Sequence, residues 1–223
     1  MNAVVRQLSG HFTPHEIKRY LFIQAVTFWG VIFLAWYSYP VDHHYSILSH
    51  TFSFLGSFDL KHNPDHWYFF SIAMTFWAWS NLPIVAYLYR RFFTISGWGA
   101  RLGAVFFLFG SIGIFGVALF PDASGAAIGN IEWTDIHEKA AILVAAGFVP
   151  GILWHGALLL IDRLKRGSHT SGDGFNHRAF IAPYLLWTSM AGLAIFYQVR
   201  WAYLYAERKA AAAMSGLAIG SSW

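Results

Sequence analysis

Residues 102–120 read Leu-Gly-Ala-Val-Phe-Phe-Leu-Phe-Gly-Ser-Ile-Gly-Ile-Phe-Gly-Val-Ala-Leu-Phe, a run without one charged side chain. A helix rises about 1.5 Å per residue, so roughly 20 apolar residues cross the hydrocarbon core of a bilayer. Four further stretches meet the same requirement: 20–39, 67–89, 138–161 and 179–204. Aromatic residues mark their ends, among them Trp36 and Tyr37, Trp67 and Tyr68, and Trp201 and Tyr203. Trp and Tyr favour the lipid–water interface, where an apolar ring body and a polar edge are both satisfied. The expected fold is therefore all-α: a polytopic membrane helical bundle of about five transmembrane helices, forming a single integral membrane domain over 1–223. The apolar tail from Ala210 to Trp223 is too short to span and is expected to be a tail or surface helix.

Composition agrees. Of 223 residues, 57% are hydrophobic, 19% aromatic and 12% charged, whereas a soluble domain carries about 25% charged residues. Cysteine is absent, which excludes disulfides and thiolate metal sites. The basic pI of about 9.4 does not indicate nucleic acid, because the basic residues lie in short loops between apolar runs. Residues 1–19 are polar, and the first apolar run exceeds the roughly 7–15 residues of a signal-peptide core, so a cleavable signal is not expected.

Loop charge gives an orientation. The N-terminal segment holds Arg6, Lys18 and Arg19, the second connection Arg90, Arg91 and Arg101, and the fourth Arg163, Lys165, Arg166 and Arg178. Ten of fifteen basic residues thus fall on one face, which the positive-inside rule makes cytoplasmic, together with the N-terminus. Five spans leave the C-terminus outside; a sixth crossing through the tail is the alternative. The outer face receives His43, His44, His50, His62, His66 and His137, and with them Asp42, Asp59, Asp65, Asp122, Glu132, Asp135 and Glu138.

Two segments of that face carry residue types able to do chemistry. Wound as a helix, Tyr45–Ser57 places Ser46, Ser49, His50 and Ser53 on one polar stripe, with Gly56 placed to end it. About 12 residues cannot span, so a short re-entrant or interfacial helix is expected after the first span. Its stripe faces either water or a cavity, where His50 would bind a metal or act as acid or base. The second segment is Asp135-Ile136-His137-Glu138. Asp135 as an N-cap and Glu138 in the first turn suit a helix start without any function. His137 is left over, and with the two acids it has the residue types of a zinc or manganese site. Asn63 and Asp65, around Pro64, read as turn or cap residues.

Inside the spans, His155 is expected to be a hydrogen-bonded packing residue, and no second histidine at matching depth invites a haem. Ser80, Asn81 and Pro83 interrupt the second span with polar groups that neighbouring helices must satisfy. Gly103, Gly110, Gly113 and Gly116 make a close-packing face on the third. Arg200 either snorkels to lipid phosphates or pairs with the outer carboxylates. No phosphate-cradling loop, nucleophile elbow or dinucleotide fingerprint occurs, so no nucleotide is expected.

Tyr45-Ser46 through Ser49, Ser53, Leu55 and Gly56, then Asn63-Pro64, the glycines of the third span with Phe120-Pro121-Asp122, and His137 with Ala140 and Ala141 form a pattern over residues 20–160. In it the chain resembles the integral membrane family catalogued as domain of unknown function 998, which implies a helical bundle and no agreed activity. A weaker likeness is to the ceramidase-like membrane hydrolases. Ser46-x-x-x-His50 looks like their Ser-x-x-x-His element, which contributes to a zinc site, although no His-x-x-x-His occurs in the last span.

The expected function is a multi-pass membrane protein with a His/Asp/Glu-rich pocket on the non-cytoplasmic face: a metal-dependent hydrolase or transferase acting on a lipid or lipid-linked substrate. His50 and His137 would hold a divalent metal such as zinc. Asp122, Asp135 and Glu138 would complete its shell or activate water, with Ser46, Ser49, Ser53 and Arg200 around them. The alternative is a non-catalytic membrane subunit or lipid-binding scaffold of a larger complex. A transporter ranks third, because intramembrane charges are few and no repeat is visible. The expected partners are membrane lipids and other membrane subunits, not nucleic acid.

Overall fold

The computed structural model describes residues 2–46 and 50–166. After a short helix α1 (Ala3–Leu8) come four long helices: α2 (Pro14–Tyr37), α3 (Tyr68–Phe93), α4 (Gly97–Leu119) and α5 (Trp133–Arg166). Each of the four is long and apolar enough to cross a membrane. The expected fifth span, 179–204, and Arg200 with it, lie outside the described residues.

Helices α2, α4 and α5 start earlier than hydrophobicity alone suggests, and in α2 and α4 polar flanking residues supply the caps. Thr13 and Glu16 form a capping box around Pro14: the Thr13 hydroxyl accepts from the Glu16 amide at 3.3 Å, and the Glu16 carboxylate accepts from the Thr13 amide at 2.7 Å. Ser96 caps α4 by accepting from the Gly99 amide at 3.1 Å. Helix α5 begins at Trp133, directly after a two-stranded hairpin, β1 (Ala127–Ile128) with β2 (Ile131–Glu132), whose turn is made by Gly129 in the left-handed region and Asn130. Asp135 therefore stands in the first turn of α5 and is not its N-cap. The span start expected at 138 missed the hairpin, whose strands are only two residues long, and the extra turn, where Thr134, Asp135 and His137 break the apolar run.

Consecutive long helices run antiparallel, as their contacts show. Between α2 and α3, Gln24 meets Asn81, and Phe28 packs on Trp77 with ring centroids 4.9 Å apart. Between α4 and α5, a side chain at Gly103 would strike His155, one at Gly110 would strike Phe148, and one at Gly116 would strike Ala140. The expected small-residue face of α4 is thus the face that α5 covers. Gly147 of α5 answers it: a Cβ there would lie 2.6 Å from the Gly110 Cα and from the Phe106 carbonyl oxygen. Backbones approach this closely only where both partners lack side chains. The core behind this seam is aromatic, with Phe70, Phe92, Phe107 and Phe148 fully buried.

Polar groups of α2 and α3 meet inside the bundle. The Gln24 amide donates to Ser80 Oγ at 2.7 Å and to Asn81 Oδ1 at 3.1 Å, and the Tyr20 hydroxyl donates to the Ser80 carbonyl at 2.9 Å. Helix α3 continues through Pro83 as one element. His155 is fully buried, donates from Nδ1 to the Gly151 carbonyl at 2.9 Å, and lies between the rings of Phe92 and Phe107. It is a packing residue, as its depth suggested.

Candidate functional site

At the end of the bundle where α2 and α4 finish and α3 and α5 begin, two connections meet. The longer runs from Tyr37 to Tyr68. The expected single helix over 45–57 is not continuous: Thr51 is extended, and a 3-10 turn, Phe52–Gly56, follows it. Gly56 lies under Phe70, whose Cγ would come within 2.8 Å of any side chain added there. Ser46 and His50 nevertheless face each other. The His50 amide donates to the Ser46 carbonyl at 2.8 Å, and the Ser46 amide donates to His50 Nδ1 at 3.3 Å. Since Nδ1 accepts, the neutral His50 ring carries its proton on Nε2. Ser49 lies outside the described residues.

Ser53 leaves that stripe and crosses to the other connection, its hydroxyl donating to Asp122 Oδ2 at 3.1 Å. Thr51 Oγ1 lies 2.8 Å from Ser53 Oγ. A carboxylate only accepts, so with Asp122 ionised Ser53 donates to it and Thr51 donates to Ser53, a directed chain of three groups. A second link lies nearby. Asp59 accepts from the Ser124 amide at 3.0 Å and from the Ser124 hydroxyl at 3.0 and 3.1 Å. Two contacts between chain segments more than 60 residues apart thus hold the connections together.

His62 sits beneath them. Its ring stacks on Phe54 with centroids 3.8 Å apart, its Nδ1 lies 3.5 Å from the Tyr39 hydroxyl, and its carbonyl accepts from His43 Nδ1 at 2.7 Å. Burial, helped by Lys61 and His50, holds the His62 imidazole below its ordinary value, against the opposing pull of Asp59 and Asp122. Burial also pushes the Tyr39 phenol up to about 12. Asn63 closes the loop, its side-chain amide donating to the Leu55 carbonyl at 2.8 Å and its backbone amide to the Ser57 carbonyl at 3.0 Å. This is the turn role its position beside Pro64 suggested.

His137 is buried on the second turn of α5 and donates from Nδ1 to the carbonyl of Phe120 at 2.8 Å. That bond leaves the Nε2 lone pair as the ring's remaining acceptor. Asp135 and Glu138 point outward and, among the described residues, their side chains enter no hydrogen bond or ion pair. Of the expected site residues, Asp122, Ser53, Ser46 and His50 therefore gather with His62, while His137 hangs from the chain two residues before Asp122. Among the described residues, no three His, Asp or Glu side chains converge as metal ligands. Thr51, Asp59 and His62 were not singled out as site residues. Thr51 carried a signal, since it adjoins His50, whereas nothing near Asp59 announces a partner 65 positions away.

The fold and this end-cluster define a helical protein with, among the described residues, four apolar, membrane-length helices and a polar junction closing one end. Compared with family models, curated proteins and solved structures, the chain finds no significant match in any of the three. The resemblance to domain of unknown function 998 and to the ceramidase-like hydrolases accordingly rests on its motifs.

Proposed function

We propose that the chain is a multi-pass membrane protein whose polar junction, on the non-cytoplasmic side, is the reaction centre of a hydrolase or transferase acting on a lipid or lipid-linked substrate. The observation that carries this reading is the Thr51–Ser53–Asp122 chain, with His50 held in a defined tautomer beside it. A hydroxyl hydrogen-bonded to a carboxylate is poised to lose its proton to that carboxylate, or to be replaced there by a water that does so. His50 Nε2–H would then donate to the leaving group. A zinc ion held by His50 and His137 is the alternative form of the same proposal and excludes that donor role, because His50 would have to give up the bond from the Ser46 amide or the Nε2 proton to bind it. Its chemistry would be to polarise a carbonyl or phosphoryl oxygen and to acidify a bound water. Lipid substrate reaches such a site sideways, from the leaflet around the helix ends.

The test uses the purified full-length protein in bilayer discs with fluorescent glycerolipid and sphingolipid substrates, and metal analysis of the same sample. Asp122→Asn and Ser53→Ala are each expected to lower turnover about 100-fold or more, with the fold intact by circular dichroism. Unchanged turnover in both variants would remove the catalytic reading. A stoichiometric metal that is lost in His50→Ala and His137→Ala would place the ion.

One observation favours the second reading, a scaffold or subunit. Asp59 spends its hydrogen bonds tying one connection to the other, His43 ties two parts of the longer connection together, and His137 ties α5 to the end of α4. In a scaffold, Asp122→Asn lowers thermal stability and weakens co-purification of a partner subunit, and there is no turnover to lose.

A further inference from the structure

At the opposite end of the bundle, where α2 and α4 begin and α3 ends, α1 is fastened to the outside of the helices. Gly10 follows it at φ 77°, in the left-handed region that glycine tolerates, and a Cβ there would lie 2.8 Å from the Ala86 Cβ of α3. Arg90 at the end of α3 donates from Nε to the Ser9 carbonyl at 2.9 Å. Arg6 pairs with Glu16 of α2, and Phe12 packs on Tyr20 and Tyr87. Despite this fastening, the large apolar side chains of α1 are not covered. Val4, Val5 and Leu8 are 60, 52 and 62% exposed. At about 100° per residue these three positions span one arc of roughly 100° on the helix.

Exposed charge at this end is of one sign. Lys18 and Arg19 in the second turn of α2, Arg90 on α3 and Arg101 on α4 are all exposed. Of the carboxylates at this end among the described residues, Glu16 is engaged by Arg6 and Asp162 is buried. An exposed apolar arc ringed by cations matches one surface well: the acyl–headgroup boundary of an anionic leaflet, which takes the apolar side chains and pairs with the basic ones. We propose that α1 is an interfacial anchor, lying in the plane of the membrane at the basic end of the bundle, with Val4, Val5 and Leu8 immersed and Lys18 and Arg19 on anionic headgroups. The inference rests on the membrane-spanning reading of the four long helices and is independent of any catalytic role.

Because the chain has no cysteine, Leu8→Cys gives a single site for an environment-sensitive dye on the full-length protein. The probe surfaces are bilayer discs of phosphatidylcholine alone and of an equimolar mixture with phosphatidylglycerol. In the anionic discs, emission at position 8 is expected to shift to the blue and to be quenched by lipids spin-labelled high on the acyl chain. Dye at Asn130→Cys, on the hairpin tip at the other end, should report water in both. Each basic residue near an anionic surface contributes about 1 kcal/mol, so Lys18→Gln with Arg19→Gln should shift the immersed-to-lifted ratio roughly 30-fold. A water-like, unquenched signal at position 8 in the anionic discs overturns the anchor. So does quenching that ignores both lipid charge and the double substitution. Resistance of the same protein to carbonate extraction is scored separately, so failure of the spans and failure of the anchor are distinguishable.

Discussion

A single imidazole shows how tightly the polar junction is built. His62 is stacked on Phe54, carries the carbonyl that anchors His43, and faces the Tyr39 hydroxyl. Lys61 and His50 oppose its charging, whereas Asp59 and Asp122 favour it, and burial decides the balance. Its value in the folded protein is therefore below the ordinary 6.5. Well above 6.5 the ring is neutral in both folded and unfolded chains and contributes no pH dependence. As the pH falls below it, the unfolded chain binds a proton that the fold resists, so stability declines until the folded value is passed. The expected outcome is an apparent unfolding temperature in detergent that falls between about pH 7 and pH 5, with part of the slope removed in His62→Phe. Phenylalanine keeps the ring on Phe54 and leaves the backbone carbonyl for His43. An identical slope in the variant would assign the acid sensitivity to other histidines. The sequence named His50, His137 and Asp122 because their residue types are chemically suggestive. It could not rank His62 above them, because the feature that sets His62 apart is the company of residues 39, 54, 59 and 122.

At the level of elements, apolar run length located the four described long helices, and polar caps moved the starts of α2 and α4 outward. Thr13-Pro14 and Ser96 were readable as caps once a helix was suspected. The hairpin before α5 was not, because two-residue strands leave no periodicity to detect. The expected helix over 45–57 failed for a different reason. Ser53 is bound by Asp122 of another connection, and that tertiary contact outweighs local helical preference. Where the sequence spoke most clearly was the α4–α5 seam, since glycine at helical spacing between bulky residues has few other uses. The seam also carries a sharp expectation. Gly147→Ala places a methyl against the Gly110 backbone, which cannot turn aside as a side chain would, and should destabilise the bundle by about 3 kcal/mol. Gly156 lies on the same helix with nothing within 4 Å of an added Cβ, so Gly156→Ala should be neutral or stabilising by up to about 1 kcal/mol. Unfolding of both variants in detergent separates a steric seam from a general effect of helix propensity, which predicts gains at both sites.

Over the whole molecule the two ends differ in charge, and the difference bears on how the bundle is inserted. Lys18, Arg19, Arg90 and Arg101 stand exposed at one end, whereas the polar junction at the other carries Asp42, Asp59, Asp65, Asp122, Glu132, Asp135 and Glu138 against Lys61 and Lys139. Cations flanking a span resist translocation far more than anions do, so the basic end is expected to remain in the cytoplasm and the junction to face out. The absence of cysteine makes this directly measurable. Thr94→Cys, between α3 and α4, should resist a membrane-impermeant maleimide in intact cells and react once the membrane is opened. Asn130→Cys, on the hairpin tip, should react at once. The same reagent decides the number of crossings, because a fifth crossing by the apolar run 179–204 would carry residue 223 to the side of Asn130. A Trp223→Cys protein labelled from outside supports five spans; one labelled only after lysis requires an even number. Reaction of Thr94→Cys but not Asn130→Cys from outside would invert the bundle. The polar junction would then meet cytoplasmic lipids and the anchoring helix the outer leaflet, so substrate side and anchor surface would exchange together.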